Sequence, residues 1–144
     1  MMFIPKLDVT VSVQISAKVH ASESSSKVSK AIENVSGGVK PIKVEEDGFI
    51  IFSYDSEVAL HNLFRKIRER RVIAVARRLL LKGVVGDTTT IMINKQVAFS
   101  GGIVLCEEED ESPLGPIYVK IESSNISKVV DWLAGSDDLK GRKE

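Results

Sequence analysis

Leu7-Asp8-Val9-Thr10-Val11-Ser12-Val13-Gln14-Ile15-Ser16-Ala17-Lys18-Val19-His20 alternates apolar and polar residues along its length. Val9, Val11, Val13, Ile15, Ala17 and Val19 fall on one side, with Thr10, Ser12, Gln14, Ser16 and Lys18 on the other. Successive side chains of a strand point to opposite faces, so this period of two predicts a long strand with one packed face and one wet face. A sheet wetted on one side implies antiparallel pairing, because the crossover helices of parallel sheets cover both faces.

Working outward, the serines at 22 and 24–26 offer caps for a helix. On it Val28, Ala31, Ile32 and Val35 recur at i, i+3, i+4, i+7, and Gly37-Gly38 stops it. Val39 to Val44 and Phe49 to Tyr54 read as strands, joined by Asp47-Gly48, a pair that tolerates the positive backbone angles of a tight hairpin. Asp55 or Ser56 caps a helical stretch running to Gly83. Its apolar stripe changes phase: Leu60, Leu63, Phe64 and Ile67 share one face, while Ile73, Val75, Ala76, Leu79 and Leu80 share another, rotated by roughly 150°. One straight helix cannot bury both stripes against a single core, which predicts a break or kink at Arg68–Arg71.

Thr88–Asn94 and Val97–Leu105 are β-rich and predict two strands around a turn at Asn94-Lys95-Gln96, with Gly101-Gly102 as a bulge. The acidic run 107–111 and Ser112-Pro113-Leu114-Gly115-Pro116 read as a loop. Ile117, Val119 and Ile121 mark a last strand, and Ser123, Ser124 or Asn125 caps a helix burying Ile126, Val129, Val130 and Leu133. Strands and helices mixed without regular βαβ alternation predict an α+β fold, with helices packed on one face of a largely antiparallel sheet. Residues 1–134 are expected to form a single domain, and 135–144 a polar tail.

Composition narrows the function classes. A chain of 144 residues can bury a core without disulfides or a structural metal. With 43% hydrophobic and 28% charged residues it does not have the composition of a disordered chain. No apolar run approaches the ~20 residues of a membrane span, and no secretory leader is apparent, so a cytoplasmic address is expected. The net charge of zero hides an asymmetry. Arg65 to Lys82 carries eight basic residues against Glu69 alone, a local +7, and the remainder carries −7.

Catalytic chemistry is poorly represented. His20 and His61 are far apart, Cys106 has no nucleophile motif around it, and no phosphate-binding glycine loop or zinc spacing occurs. The acidic run lacks calcium-loop spacing. No enzyme activity, cofactor or metal is therefore expected. The feature that points to a partner is the basic helix, whose Arg70, Arg71, Arg77, Arg78 and Lys82 fall opposite the apolar stripe. Arginine presents a rigid donor fork suited to phosphate, and Asn94, Lys95 and Gln96 add donors for phosphate, ribose or base edges. RNA is the expected partner, recognised by shape and phosphate, since aromatics at 6% supply no base-stacking platform. In the alternative, the same arginines pair with acids of the loop or of a second subunit, and the chain is a homodimeric interaction module without nucleic acid.

The stretches Arg70 to Gly83, Asn94 to Phe99, Ser112 to Ile117 and Asp131-Trp132-Leu133 resemble, in order and spacing, the uncharacterised archaeal family numbered 0201 in the UPF series. The resemblance runs from the first strand to Trp132. It implies a fold similar to the ribosomal protein that binds 5S RNA, and an RNA-binding role in a ribosome or RNA-processing context. It brings no activity, substrate or catalytic residue.

Overall fold

The structure, a computed structural model, describes residues 2–135. In chain order its elements are β1 (Ser12–Lys18), α1 (Ser25–Ser36), β2 (Ile42–Glu46), β3 (Phe49–Tyr54), α2 (His61–Glu69), α3 (Ile73–Lys82), β4 (Thr88–Ile93), α4 (Lys95–Phe99), β5 (Leu105–Cys106), β6 (Ile117–Glu122) and α5 (Ile126–Ala134). The strands form one sheet in the order β2-β3-β1-β6-β4-β5, antiparallel at every pairing.

The alternation of the first strand decides what the sheet buries. Val13, Ile15 and Ala17 point into the core with Ile50, Phe52 and Tyr54 of β3 and Ile117, Val119 and Ile121 of β6. Over this face lie Val28, Ala31, Ile32 and Val35 of α1, Leu63, Phe64 and Ile67 of α2, Ile73, Ala76, Leu79 and Leu80 of α3, and Val129, Val130 and Leu133 of α5, all in one apolar cluster. The opposite face stays wet, with Gln14 and Lys120 exposed. This is the α+β arrangement the pattern predicts.

The first strand is shorter than its alternation. Its ladder stops at Ser12 because its neighbours run out there, β3 at Tyr54 and β6 at Glu122. Leu7 and Val11 stay buried without pairing. The hairpin is as expected: Asp47 and Gly48 have φ of 53° and 80°, and Glu46 faces Phe49 across the turn.

The second half departs from expectation at one place. Val97–Leu105 is not a strand. Asn94 caps α4, its Oδ1 accepting from the Val97 N–H at 2.9 Å, and the short helix docks on α1 through Asn34, whose Nδ2 donates to the Ala98 carbonyl at 2.9 Å. Strand structure resumes only at Leu105–Cys106, and Gly101, with φ of 94°, belongs to the exit from α4 instead of a bulge. The polar tail expected from 135 begins at a buried Gly135, and residues 136–144 lie outside the described residues.

Candidate nucleic-acid interface

The break between α2 and α3 builds the basic corner. The Val72 N–H donates to the Ile67 carbonyl at 3.0 Å and the Arg71 N–H to the Arg68 carbonyl at 3.1 Å. These are the paired bonds of a Schellman helix stop, in which the residue at the turn is left-handed and usually glycine. Here it is Arg71, with φ of 58°. A side chain in that region costs on the order of 1 kcal/mol and persists where packing over-determines the backbone. Ile67 and Ile73, buried on either side of the corner, supply that packing. Arg70 and Arg71 are left exposed on the outside of the turn.

The other cations of the segment divide into engaged and free. Arg68 is a clasp between helices: its guanidinium lies 3.4 Å from the Phe64 ring centroid and donates to the Leu133 carbonyl at 2.9 Å. Arg77 sits on the flank of α3 facing α5, bonded to Asp131 at 2.8 Å and to the Ala134 carbonyl at 3.3 Å. Arg78 makes a two-pronged contact with Glu107, each prong 3.1 Å. The hydrogen bond and charge of Arg78 hold the Glu107 carboxyl below its ordinary range, Lys82 adds to the effect, and Glu107 in turn raises Arg78. Both partners are about half exposed, so water and salt compete with this pair. The side chains of Arg65, Arg70, Arg71 and Lys82 make no hydrogen bond or ion pair among the described residues.

The outer face of α3 is therefore mixed. Arg78 and Lys82 share it with Ala74 and with exposed Val75 and Leu81. The apolar periodicity puts Val75 with the buried stripe, yet it is exposed. At 100° per residue it falls on that stripe's edge, and the neighbouring elements leave it uncovered.

The second expected cluster faces inward. Lys95 is buried, and its ammonium donates to the Lys18 carbonyl at 2.8 Å, the Leu114 carbonyl at 2.7 Å and the Glu23 carboxylate at 3.1 Å. It ties the end of β1, the approach to α1 and the loop before β6 together, and it is not available to an external phosphate. The Asn94 side chain is spent on its cap. Gln96 is exposed, yet its Nε2 donates to the Pro113 carbonyl at 2.8 Å. Burial, and not residue type, removes Lys95 from the set.

The acidic run is more organised than a free loop. Besides Glu107 on Arg78, the Glu107 N–H donates to Glu111 at 2.9 Å and the Tyr118 hydroxyl donates to Glu109. Burial and the Glu109 carboxylate push the Tyr118 phenol up to about 12. Cys106, under this loop, is buried, and its thiol is pushed up by desolvation and by Glu111. Among the described residues no cluster of three or more His, Cys, Asp or Glu could hold a metal, and no helix is long and apolar enough to cross a membrane.

Comparison with known proteins agrees with this architecture. Residues 12–123 match the family model described as RNA binding. A UPF0201 protein of Metallosphaera sedula is 38% identical over 124 residues, 85% of this chain and 86% of that one. One from Sulfolobus acidocaldarius is 42% identical over 124 residues, 84% and 85% of the two chains. The crystal structure of the UPF0201 protein from Methanococcus jannaschii superposes with a TM-score of 0.72 at 29% identity, over 86% of this chain and 92% of that one. With the family model spanning most of the chain, and relatives matched along most of both lengths, the chain belongs to the UPF0201 family of archaeal proteins.

Proposed function

We propose that the protein binds structured RNA without catalysing a reaction, in a ribosome or RNA-processing context in the cytoplasm, through the corner between α2 and α3 and the outer face of α3. The observation that carries this reading is the corner itself. Arg70 and Arg71 stand exposed and without partners among the described residues, and Arg71 occupies a left-handed position that glycine would fill more cheaply. A side chain kept at such a cost fits a role outside the fold. The family model's description as RNA binding supports the same partner.

The contacts are to phosphate. Arg70 and Arg71 at the corner and Lys82 at the far end of α3, a helix about 15 Å long, supply cations spaced to reach more than one phosphate of a folded RNA. Arg78 joins them when RNA displaces Glu107, so the acidic loop sets a threshold that only a dense polyanion overcomes. Arg77, Asn94, Lys95 and Gln96 are engaged within the fold and are left out of this surface.

Fluorescence anisotropy with a stem-loop RNA at low salt tests the reading. Replacing Arg70 and Arg71 together by glutamine weakens binding about tenfold or more, while Arg77→Gln, which removes an arginine already held by Asp131, leaves it near wild type. Equal affinities for wild type and the Arg70/Arg71 variant would overturn it.

A further inference from the structure

We infer that the protein self-associates as a symmetric dimer through the free edge of β2. The two copies' Ile42–Glu46 strands run antiparallel, with Val44 on the two-fold axis and Lys43 opposite the partner's Glu45. This surface is separate from the basic corner and does not depend on RNA.

β2 ends the sheet, and all five of its residues are exposed. The other edge, β5, has only two paired residues and is followed by the acidic loop. An edge strand offers a row of unpaired backbone groups to another strand. Which groups these are follows from the turn. In a two-residue hairpin with both turn residues at positive φ, the flanking Glu46 and Phe49 exchange both backbone bonds. Alternation then directs Val44 and Ile42 toward β3, and leaves the N–H and C=O of Lys43 and Glu45 pointing outward. Pro41, which has no N–H, precedes the strand and limits the usable edge to these residues.

An antiparallel partner can bond those outward groups in three registers. One sets Lys43 against Lys43 of the second copy, and another sets Glu45 against Glu45; both place like charges directly opposite, which destabilises a sheet pair. The third sets Lys43 against Glu45 twice over, by symmetry. Charge alone selects it. The same register brings Val44 onto Val44 as a non-hydrogen-bonded pair, the closer kind of cross-strand approach. Val44 and Ile42 are 45% and 69% exposed in the single chain, on the open face beside Ile51, so this pairing covers apolar surface that the fold leaves wet. Lys43 and Glu45 already lie 4.0 Å apart within the strand, both still solvated, and can exchange that contact for the cross-strand one. The net charge of zero adds no long-range repulsion between copies.

A charge-swap experiment reads both the dimer and its register. Sedimentation equilibrium of the full chain is expected to show a reversible monomer–dimer equilibrium. Lys43→Glu and Glu45→Lys, each alone, weaken it by about tenfold or more, because each turns two attractive pairs into two repulsive ones. An equimolar mixture of the two variants restores association, since the carboxylate introduced at position 43 of one chain then meets the ammonium introduced at position 45 of the other. Glu45→Pro, which removes an outward N–H while leaving the β2–β3 bonds intact, abolishes it. A wild type that stays monomeric at roughly millimolar concentration overturns the proposal. So does a dimer indifferent to both swaps, or a mixture that fails to recover.

Discussion

Lys95→Met separates a structural lysine from a binding one. The side chain is 4% exposed, and its ammonium satisfies the Lys18 carbonyl at 2.8 Å, the Leu114 carbonyl at 2.7 Å and the Glu23 carboxylate at 3.1 Å. Methionine fills a similar volume but donates nothing, so two carbonyls lose a partner and a largely buried carboxylate loses its counter-charge. Removing one partner of a buried ion pair typically costs about 3–5 kcal/mol, because the remaining charge stays desolvated. Against a total stability of roughly 5–15 kcal/mol for a domain this is a large loss. Glu23→Gln is milder, at about 1–2 kcal/mol, since the lysine keeps both carbonyls and can donate to the amide oxygen. The double variant then costs less than the sum of the two, because Glu23 is no longer a stranded charge. Denaturant unfolding followed by circular dichroism measures all four corners of this cycle. A Lys95→Met protein within about 1 kcal/mol of wild type would refute the internal-tether reasoning.

Two further outcomes follow from the geometry. Arg71→Gly keeps the left-handed turn without its steric cost, so stability is unchanged or rises by up to about 1 kcal/mol while RNA affinity falls; unfolding and binding curves on the same preparation check both halves. Neither tyrosine ionises at the ordinary value of 10.0: burial raises Tyr54, and burial with Glu109 takes Tyr118 to about 12. The fold thus favours the protonated phenols, a contribution fully present below the unfolded value and lost as pH rises through about 12. A tyrosinate absorbance titration of the native protein with a component near 10 would contradict this.

What the chain declares locally it declares well. The phase shift between Ile67 and Ile73 announced the break at Arg70-Arg71, and Asp47-Gly48 announced the hairpin, because each is a matter of a few adjacent residues. Asn94 was the overlooked signal: a capping residue ahead of Lys95-Gln96-Val97-Ala98-Phe99 starts a short helix where β-rich composition suggested a strand. Lys95 reads as exposed because it sits between Asn94 and Gln96, and the acid that buries with it, Glu23, lies 72 residues away. The capture of Arg78 by Glu107 is the pairing with loop acids that the alternative reading names, whereas periodicity by itself places a residue on a helix face and not the loop that folds over it.

On the proposed reading, exposed cations at the α2–α3 corner and on α3 bind RNA phosphate. The slope of log affinity against log salt concentration tests it most directly, because each neutralised phosphate releases counterions in a countable way. Engagement of Arg70, Arg71, Lys82 and an Arg78 released from Glu107 predicts a slope of about −3 for a stem-loop RNA, flattened by about 1–2 when Arg70 and Arg71 become glutamine. A slope near zero, or no binding at low salt, would rule out phosphate recognition by these residues.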